Sequence, residues 1–329
     1  MNIFLRPQAT LFTILCLLFA PALLMSDKGQ TDSLITLRQQ IQTVHRQEAA
    51  NRMVGLEKQR LMKSLPGAPD QLNFDARYYR LELRLDPVPP LLTGAVRIRG
   101  TALIDNFDLV VLDMLENMAV DSISGDAVDA THTGDLLYVP LSQPIDSGAA
   151  FTIDVAYHGL PTEGLYFSQH GDSANAKPVI WSLSEPYSAR GWWPCKDTPS
   201  DKADSADIIL WVPNSLMAIS NGFLRDFGSY LDLTSFARYE WHENYPISTY
   251  LVSVAVTDYA LESDQFPYAP GDSLPVDYYS YPENIAAARV GLSQCLDMLT
   301  LFHRIFGPYP FLGEKYGIAQ FPRGGGMEH

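Results

Sequence analysis

The sequence predicts a mainly β protein: an antiparallel β-sandwich over residues 70–262, then the opening of a mixed α/β domain over residues 263–329. Three observations carry this. From Phe74 onward apolar and polar residues alternate with a period of two. Turn-forming pairs interrupt that alternation at short intervals. Over residues 283–306 the period changes to that of a helix.

Taken in order, residues 1–26 read as a secretory signal. Arg6 precedes an apolar run from Leu11 to Met25, and Ala20-Pro21-Ala22 offers small residues for cleavage. The expected destination is therefore outside the cytoplasm, periplasmic or extracellular. A membrane enters only if this run stays uncleaved, and it is somewhat short for a span. Residues 27–69 read as a helical leader or linker. Leu34, Leu37, Ile41 and Val44 recur at helical spacing, with Thr31 or Asp32 as the cap and Pro66-Gly67 as the stop.

The alternation then takes over. Tyr79, Leu81, Leu83 and Leu85 alternate with Arg80, Glu82 and Arg84; Phe151, Ile153, Val155 and Tyr157 alternate with Thr152, Asp154 and Ala156. That pattern gives strands one buried and one wet face. Turns are expected at Asp86-Pro87, Thr93-Gly94, Ser124-Gly125-Asp126, Thr133-Gly134-Asp135, Ser147-Gly148 and His158-Gly159. Further strands are expected at 207–212, 237–241 and 249–257. Residues 263–275, with three prolines, read as a loop and 276–281 as a strand. Residues 283–306 form one amphipathic helix, with Ile285, Ala288, Leu292, Leu299 and Phe302 on one face. Pro282 starts it and Gly307-Pro308 ends it. A last strand is expected at 316–320.

Composition bounds the function. With 47% apolar and 19% charged residues, the 329-residue chain is an ordinary globular protein with room for two domains. A net charge of −15 argues against nucleic acid as a partner. The charge is uneven: residues 1–69 hold eight Lys or Arg against four Asp or Glu, so the body is strongly acidic. An acidic body attracts cationic ligands and also keeps a protein soluble, and the second effect is the larger expectation. Beyond Cys16, inside the signal, the cysteines are Cys195 and Cys295. A disulfide between them is open, but buried free thiols are the plainer reading.

Several chemistries are missing from the sequence. Zinc sites of the H-E-x-x-H type need two histidines one helical turn apart. No two of the seven histidines here are four residues apart, and no C-x-x-C pair exists. There is no G-x-S-x-G elbow and no phosphate loop ending in Lys and Ser or Thr. What stands out instead is Gly324-Gly325-Gly326-Met327-Glu328-His329. Three glycines strip side chains from a stretch of backbone, and a carboxylate follows. That combination suits holding an extended peptide by main-chain contacts and gripping a positive charge at its end.

These residues also resemble the G-x-M-E-N motif of the zinc aminopeptidases, the family of aminopeptidase N and leukotriene hydrolase. Other fragments match in order across residues 74–329. Ser184-Glu185-Pro186-Tyr187-Ser188-Ala189-Arg190 leads into Pro194-Cys195-Lys196-Asp197-Thr198-Pro199, which is similar to that family's P-C-x-D-x-P. Ser220-Asn221-Gly222 resembles its "SNG", Thr249-Tyr250-Leu251-Val252 the last strand of its first domain, and Phe306-Gly307-Pro308-Tyr309-Pro310-Phe311 its "FG-YPF". The resemblance implies a saddle-like N-terminal β domain over 70–262 and the start of a thermolysin-like catalytic domain over 263–329. It also implies Zn2+ in the full-length enzyme, held by a helix downstream of His329, and peptides with a free N-terminus as substrates.

On that resemblance Glu328 and Glu185 bind the substrate α-ammonium, backbone at Gly325 and Gly326 contacts the substrate main chain, and Met327 packs beneath. His329 stands where asparagine is commonest. Arg190 and Asp197 are expected to be an ion pair orienting the loop, and Trp192 and Trp193 to be packing residues. No catalytic or metal-ligating residue is expected within the chain, which alone should neither bind catalytic zinc nor hydrolyse peptides. The alternatives are a non-catalytic β-sandwich interaction module of the same fold and, within the family, epoxide hydrolysis.

Overall fold

Alternation written into the sequence becomes a long hairpin at the start of the described chain. β1 (Phe74–Pro87) and β2 (Pro90–Ala102) pair antiparallel along their whole length. Leu81, Leu83, Leu85, Leu92, Val96 and Ile98 all point into the core with no exposed surface. Each such side chain contributes about 1.5–3 kcal/mol of burial. This computed structural model describes residues 71–172, 175–230 and 235–329. The signal expected at 1–26 and the helical leader at 27–69 lie outside the described residues.

The first unit continues through β3 (Phe107–Asp113), β4 (Met118–Gly125), β5 (Thr131–Thr133), β6 (Leu136–Ile145), β7 (Ala150–Gly159), β8 (Gly164–His170) and β9 (Lys177–Leu183). It is completed by β10 (Ser205–Pro213), β11 (Met217–Ile219), β12 (Phe223–Tyr230), β13 (Phe236–Glu243) and β14 (Ala255–Thr257). A seven-stranded sheet runs in the order β12-β13-β10-β1-β2-β7-β4. Two smaller sheets, β11-β14-β9-β8 and β3-β6-β5, contribute to the same apolar core.

Three expectations are corrected here. The unit is not wholly antiparallel, because β1 and β10 run parallel. β10 buries Ile208, Ile209 and Leu210 alike, so both its faces are covered, as parallel strands require. Thr93-Gly94 is no turn: Gly94 lies within β2 opposite Tyr157, and a Cβ there would come within 2.6 Å of the tyrosine ring. The glycine makes room for its cross-strand neighbour. Residues 249–257 are not one strand, since Thr249–Leu251 forms a 3-10 turn and only β14 joins a sheet.

The second unit holds β15 (Ala260–Ala269), β16 (Asp272–Ser280), the helices α1 (Ile285–Leu292) and α2 (Cys295–Phe306), and β17 (Tyr316–Ala319). Its sheet order is β15-β16-β17, with β16 and β17 parallel. The expected loop at 263–275 is instead a hairpin, and β15 straddles the 262/263 boundary. Pro267 is tolerated because β15 is an edge strand. Pro275 lies just outside the stretch of β16, Val276–Tyr279, that pairs with β17. The single helix is two, bent by 40° at Ser293-Gln294. Ser293 Oγ donates to Val290 O at 2.9 Å, a local bond that competes with the helical ladder. Cys295 and Leu299 of α2 pack on Phe266, Leu274, Val276 and Tyr278. Cys195 and Cys295 are free, buried thiols.

Candidate functional site

Glu185 sits just past β9, at the head of a loop that the core holds from several sides. The Glu185-Pro186 peptide is cis. Ser184 is fully buried; its Oγ donates to Gly164 O at 3.3 Å and accepts Trp192 Nε1–H at 2.9 Å. Gly164 has φ +80°, and a Cβ there would lie 2.0 Å from Ser188 O, so only glycine permits this approach. The loop closes with a 3-10 turn at Ala189–Gly191. Trp192 and Trp193 are both wholly buried and meet at 5.9 Å, packing residues as expected.

The expected Arg190–Asp197 pair is present at 3.1 Å, but it is half of a larger arrangement. Arg190 Nη1 also meets Asp113 Oδ1 at 3.0 Å. Asp113 Oδ2 accepts Asp197 N–H at 2.8 Å, and Asp197 Oδ1 accepts Thr249 Oγ1–H at 3.0 Å. Burial pushes the Asp197 carboxyl up to about 6; Arg190 pulls the other way and Asp113 adds to the rise. Asp113 carries no local sequence signal, being brought in from the end of β3. Lys196 secures the far side of the loop through Phe74 O and Asp201. Glu185 therefore projects, half-buried, from a rigid base.

The glycine arm reaches the same region from the second unit. Past β17, Gln320 N donates to Tyr279 O at 2.9 Å, and Gln320 O accepts the Tyr259 hydroxyl at 2.5 Å. Phe321 packs on Trp181 at 5.3 Å, and Trp181 stacks on Tyr166 at 4.5 Å. Gly324, Gly325 and Gly326 are exposed. Gly325 has φ +100°, which favours glycine; a Cβ at Gly324 or Gly326 would meet nothing within 4 Å. Met327 is half-buried and Glu328 is exposed.

The 3-10 turn at Thr249–Leu251 is shared by both halves. His329 lies beside the backbone of Leu251. Burial raises the phenol of Tyr250, and the charge of Glu185 raises it further. The turn thus borders Glu185 on one side and the end of the glycine arm on the other. Sequence reading placed this segment in a strand and gave Tyr250 no part in the site.

Among the described residues no group of three or more His, Cys, Asp or Glu is disposed to hold a metal ion. A groove of about 350 Å³ between Pro87, Pro90, Phe167 and Val179 contains no ionisable side chain and so offers no acid–base chemistry. What the loop and the arm can supply is two carboxylates and bare backbone.

Residues 75–251 match the Peptidase M1 N-terminal domain. Aminopeptidase N of Rattus norvegicus is 28% identical over 137 residues, which cover 41% of this chain and 14% of that protein. Aminopeptidase N of Plutella xylostella is 23% identical over 269 residues, covering 75% of this chain and 28% of that protein. The chain thus spans under a third of these relatives' length. Among solved structures, an M1 zinc metallopeptidase from Deinococcus radiodurans superposes with a TM-score of 0.60 at 23% identity, over 76% of this chain and 57% of that one. A variant of that enzyme, solved with a bound Tyr-Ser-Ala substrate, gives a TM-score of 0.59 at 24% identity.

Proposed function

Because this chain belongs to the Peptidase M1 family through its N-terminal domain, we propose that it supplies the amine-recognition part of an exported zinc aminopeptidase that removes N-terminal residues from peptides. The supporting observation is the M1 match over 75–251, which contains Glu185 and its anchored loop and is followed in the chain by the glycine arm.

In this reading Glu328 and Glu185 hold the α-ammonium of the substrate by charge-assisted hydrogen bonds. A free α-amine has a pKa of about 7.7–8 and is mostly charged at neutral pH. A blocked or internal residue brings an uncharged amide, which offers neither carboxylate a positive charge to bind. Gly325 and Gly326 let a substrate main chain approach, and Met327 supports the arm from below. Zinc, as in the M1 relatives, finds no fitting donor set among the described residues. The hydrolytic step therefore lies outside what these residues do, and the 329-residue chain alone is expected to hydrolyse nothing. Export rests on Arg6 and the apolar run that follows. N-terminal sequencing of the secreted protein should find a start past Ala22 and no later than residue 27.

The decisive experiment is Glu328→Gln in the polypeptide that carries the zinc helix, assayed on aminoacyl anilides. We expect kcat/KM to fall by about two orders of magnitude, equivalent to about 3 kcal/mol of lost charge pairing. Unchanged turnover of unblocked substrates would rule out the reading.

A further inference from the structure

Among the contacts between the two units, one brings together an unusual pair of acids. Glu243 ends β13, and Glu314 precedes β17. They are 7% and 8% exposed. Two consecutive amides of one turn hold them: Asn244 N donates to Glu314 Oε1 at 2.7 Å, and Tyr245 N donates to Glu243 Oε1 at 2.9 Å. Adjacent backbone nitrogens lie within about 4 Å of each other, so the two head groups share one small space.

The nearest cation does not neutralise them. Lys315 turns its ammonium to Ser220 O at 2.7 Å and to Gly222 O, and lies 4.3 Å over the ring of Trp241. Among the described residues neither carboxyl has an ion-pair partner. Two buried like charges this close cannot both persist; one keeps its proton.

We propose that Glu243 and Glu314 share a single proton, and that this protonated pair is a latch fastening the segment ahead of β17, and with it the glycine arm, to the first unit. The O–H of one carboxyl donates to the carboxylate oxygen of the other. Loss of the proton leaves two negative charges facing each other at the joint.

Neighbouring groups are consistent with this. Burial raises the Glu243 carboxyl to about 7, Glu314 adds to the rise, and the Tyr245 amide and Lys315 oppose it. Burial lowers the Lys315 ammonium to about 8, against Asp277, Glu314 and Glu243. Tyr309 also faces the pair and stays neutral, its phenol raised by burial. A raised carboxyl pKa sets the sign. The stabilisation is fully present below the unfolded value near 4.5 and is lost as pH rises through about 7.

The same loop has other fastenings that do not titrate near neutrality. Gly313 N donates to the Tyr245 hydroxyl at 3.2 Å, and Phe311 packs edge-on against Tyr245 at 5.1 Å. Deprotonation therefore loosens the joint without unfolding either unit.

The latch rests on the fold and not on the aminopeptidase reading, so its test is structural. Hydrogen exchange is measured on the full chain at pH 5.5 and pH 8, corrected for intrinsic rates, at the amides of Asn244, Tyr245 and residues 311–320. In the wild type, protection should fall about tenfold at the higher pH, the effect of one pK unit of differential proton affinity. Glu314→Gln keeps the acceptor for Asn244 and adds a permanent donor, so its protection should be the same at both values. Glu243→Gln should behave likewise and serves if the first variant does not fold. Wild-type protection that ignores pH, or glutamine variants that respond as the wild type does, would overturn the latch. Either result leaves the amine-recognition proposal untouched.

Discussion

Arg190 faces two carboxylates, Asp113 and Asp197, in a place closed to water. Replacing it with methionine keeps the bulk and strands both acids. We expect a loss of about 3–5 kcal/mol, the cost of a broken buried pair, read by urea unfolding at pH 8. Asp197 already has a raised pKa, so its neutral form is the better tolerated one. Its contribution is present below the unfolded value near 3.8 and is lost as pH rises through about 6. Without Arg190 that slope steepens, and the variant should recover part of its stability at pH 5. Gly326 behaves oppositely. A Cβ there meets nothing, and its φ lies outside the left-handed region, so the fold does not demand glycine. Gly326→Ala should shift stability by no more than about 0.5 kcal/mol in a thermal melt. If the bare backbone serves a bound peptide, the same variant should raise KM for unblocked peptides.

At the scale of elements, the loop from β9 to Asp197 depends on one glycine in β8. Gly164→Ala would combine a positive φ with a Cβ 2.0 Å from Ser188 O. A cost of about 3 kcal/mol or more is expected, with faster proteolysis between Glu185 and Trp192 as the measurable sign. The strands β1 and β7 were legible because alternation encodes which face is buried. It does not encode direction, so the parallel pairing of β1 with β10 was not. Prolines hid the hairpin of β15 and β16, since an edge strand and a stretch of strand beyond its neighbour's ladder both accept them. The break between α1 and α2 was masked by apolar spacing that continues across it. In the site, Glu185 and Gly324–Glu328 stood out because their neighbours form local motifs. Asp113 and Tyr250 did not, and neither did Glu243 and Glu314 as a pair. Each becomes meaningful only beside a residue far away in the chain, and an isolated acid or tyrosine carries no local mark of that.

At the scale of the whole molecule, the two units meet through polar contacts around residues 311–321 and through aromatic packing of Tyr279, Tyr281 and Phe321 on the core of the first. The glycine arm leaves β17 from that joint. On the amine-recognition proposal, the acidic body would add a diffuse attraction for cationic peptide ends. The placement of β1 has one more consequence. It lies mid-sheet, and while β2 follows it at once, its other flank waits for β10: Tyr78 cannot find Ser205 until the intervening chain has left the ribosome. Throughout that interval a fourteen-residue strand offers an open row of amides and carbonyls to any passing chain. Synthesis of this protein is therefore most exposed to misassembly before its tenth strand emerges, and a chaperone that shields nascent β edges would act in that window.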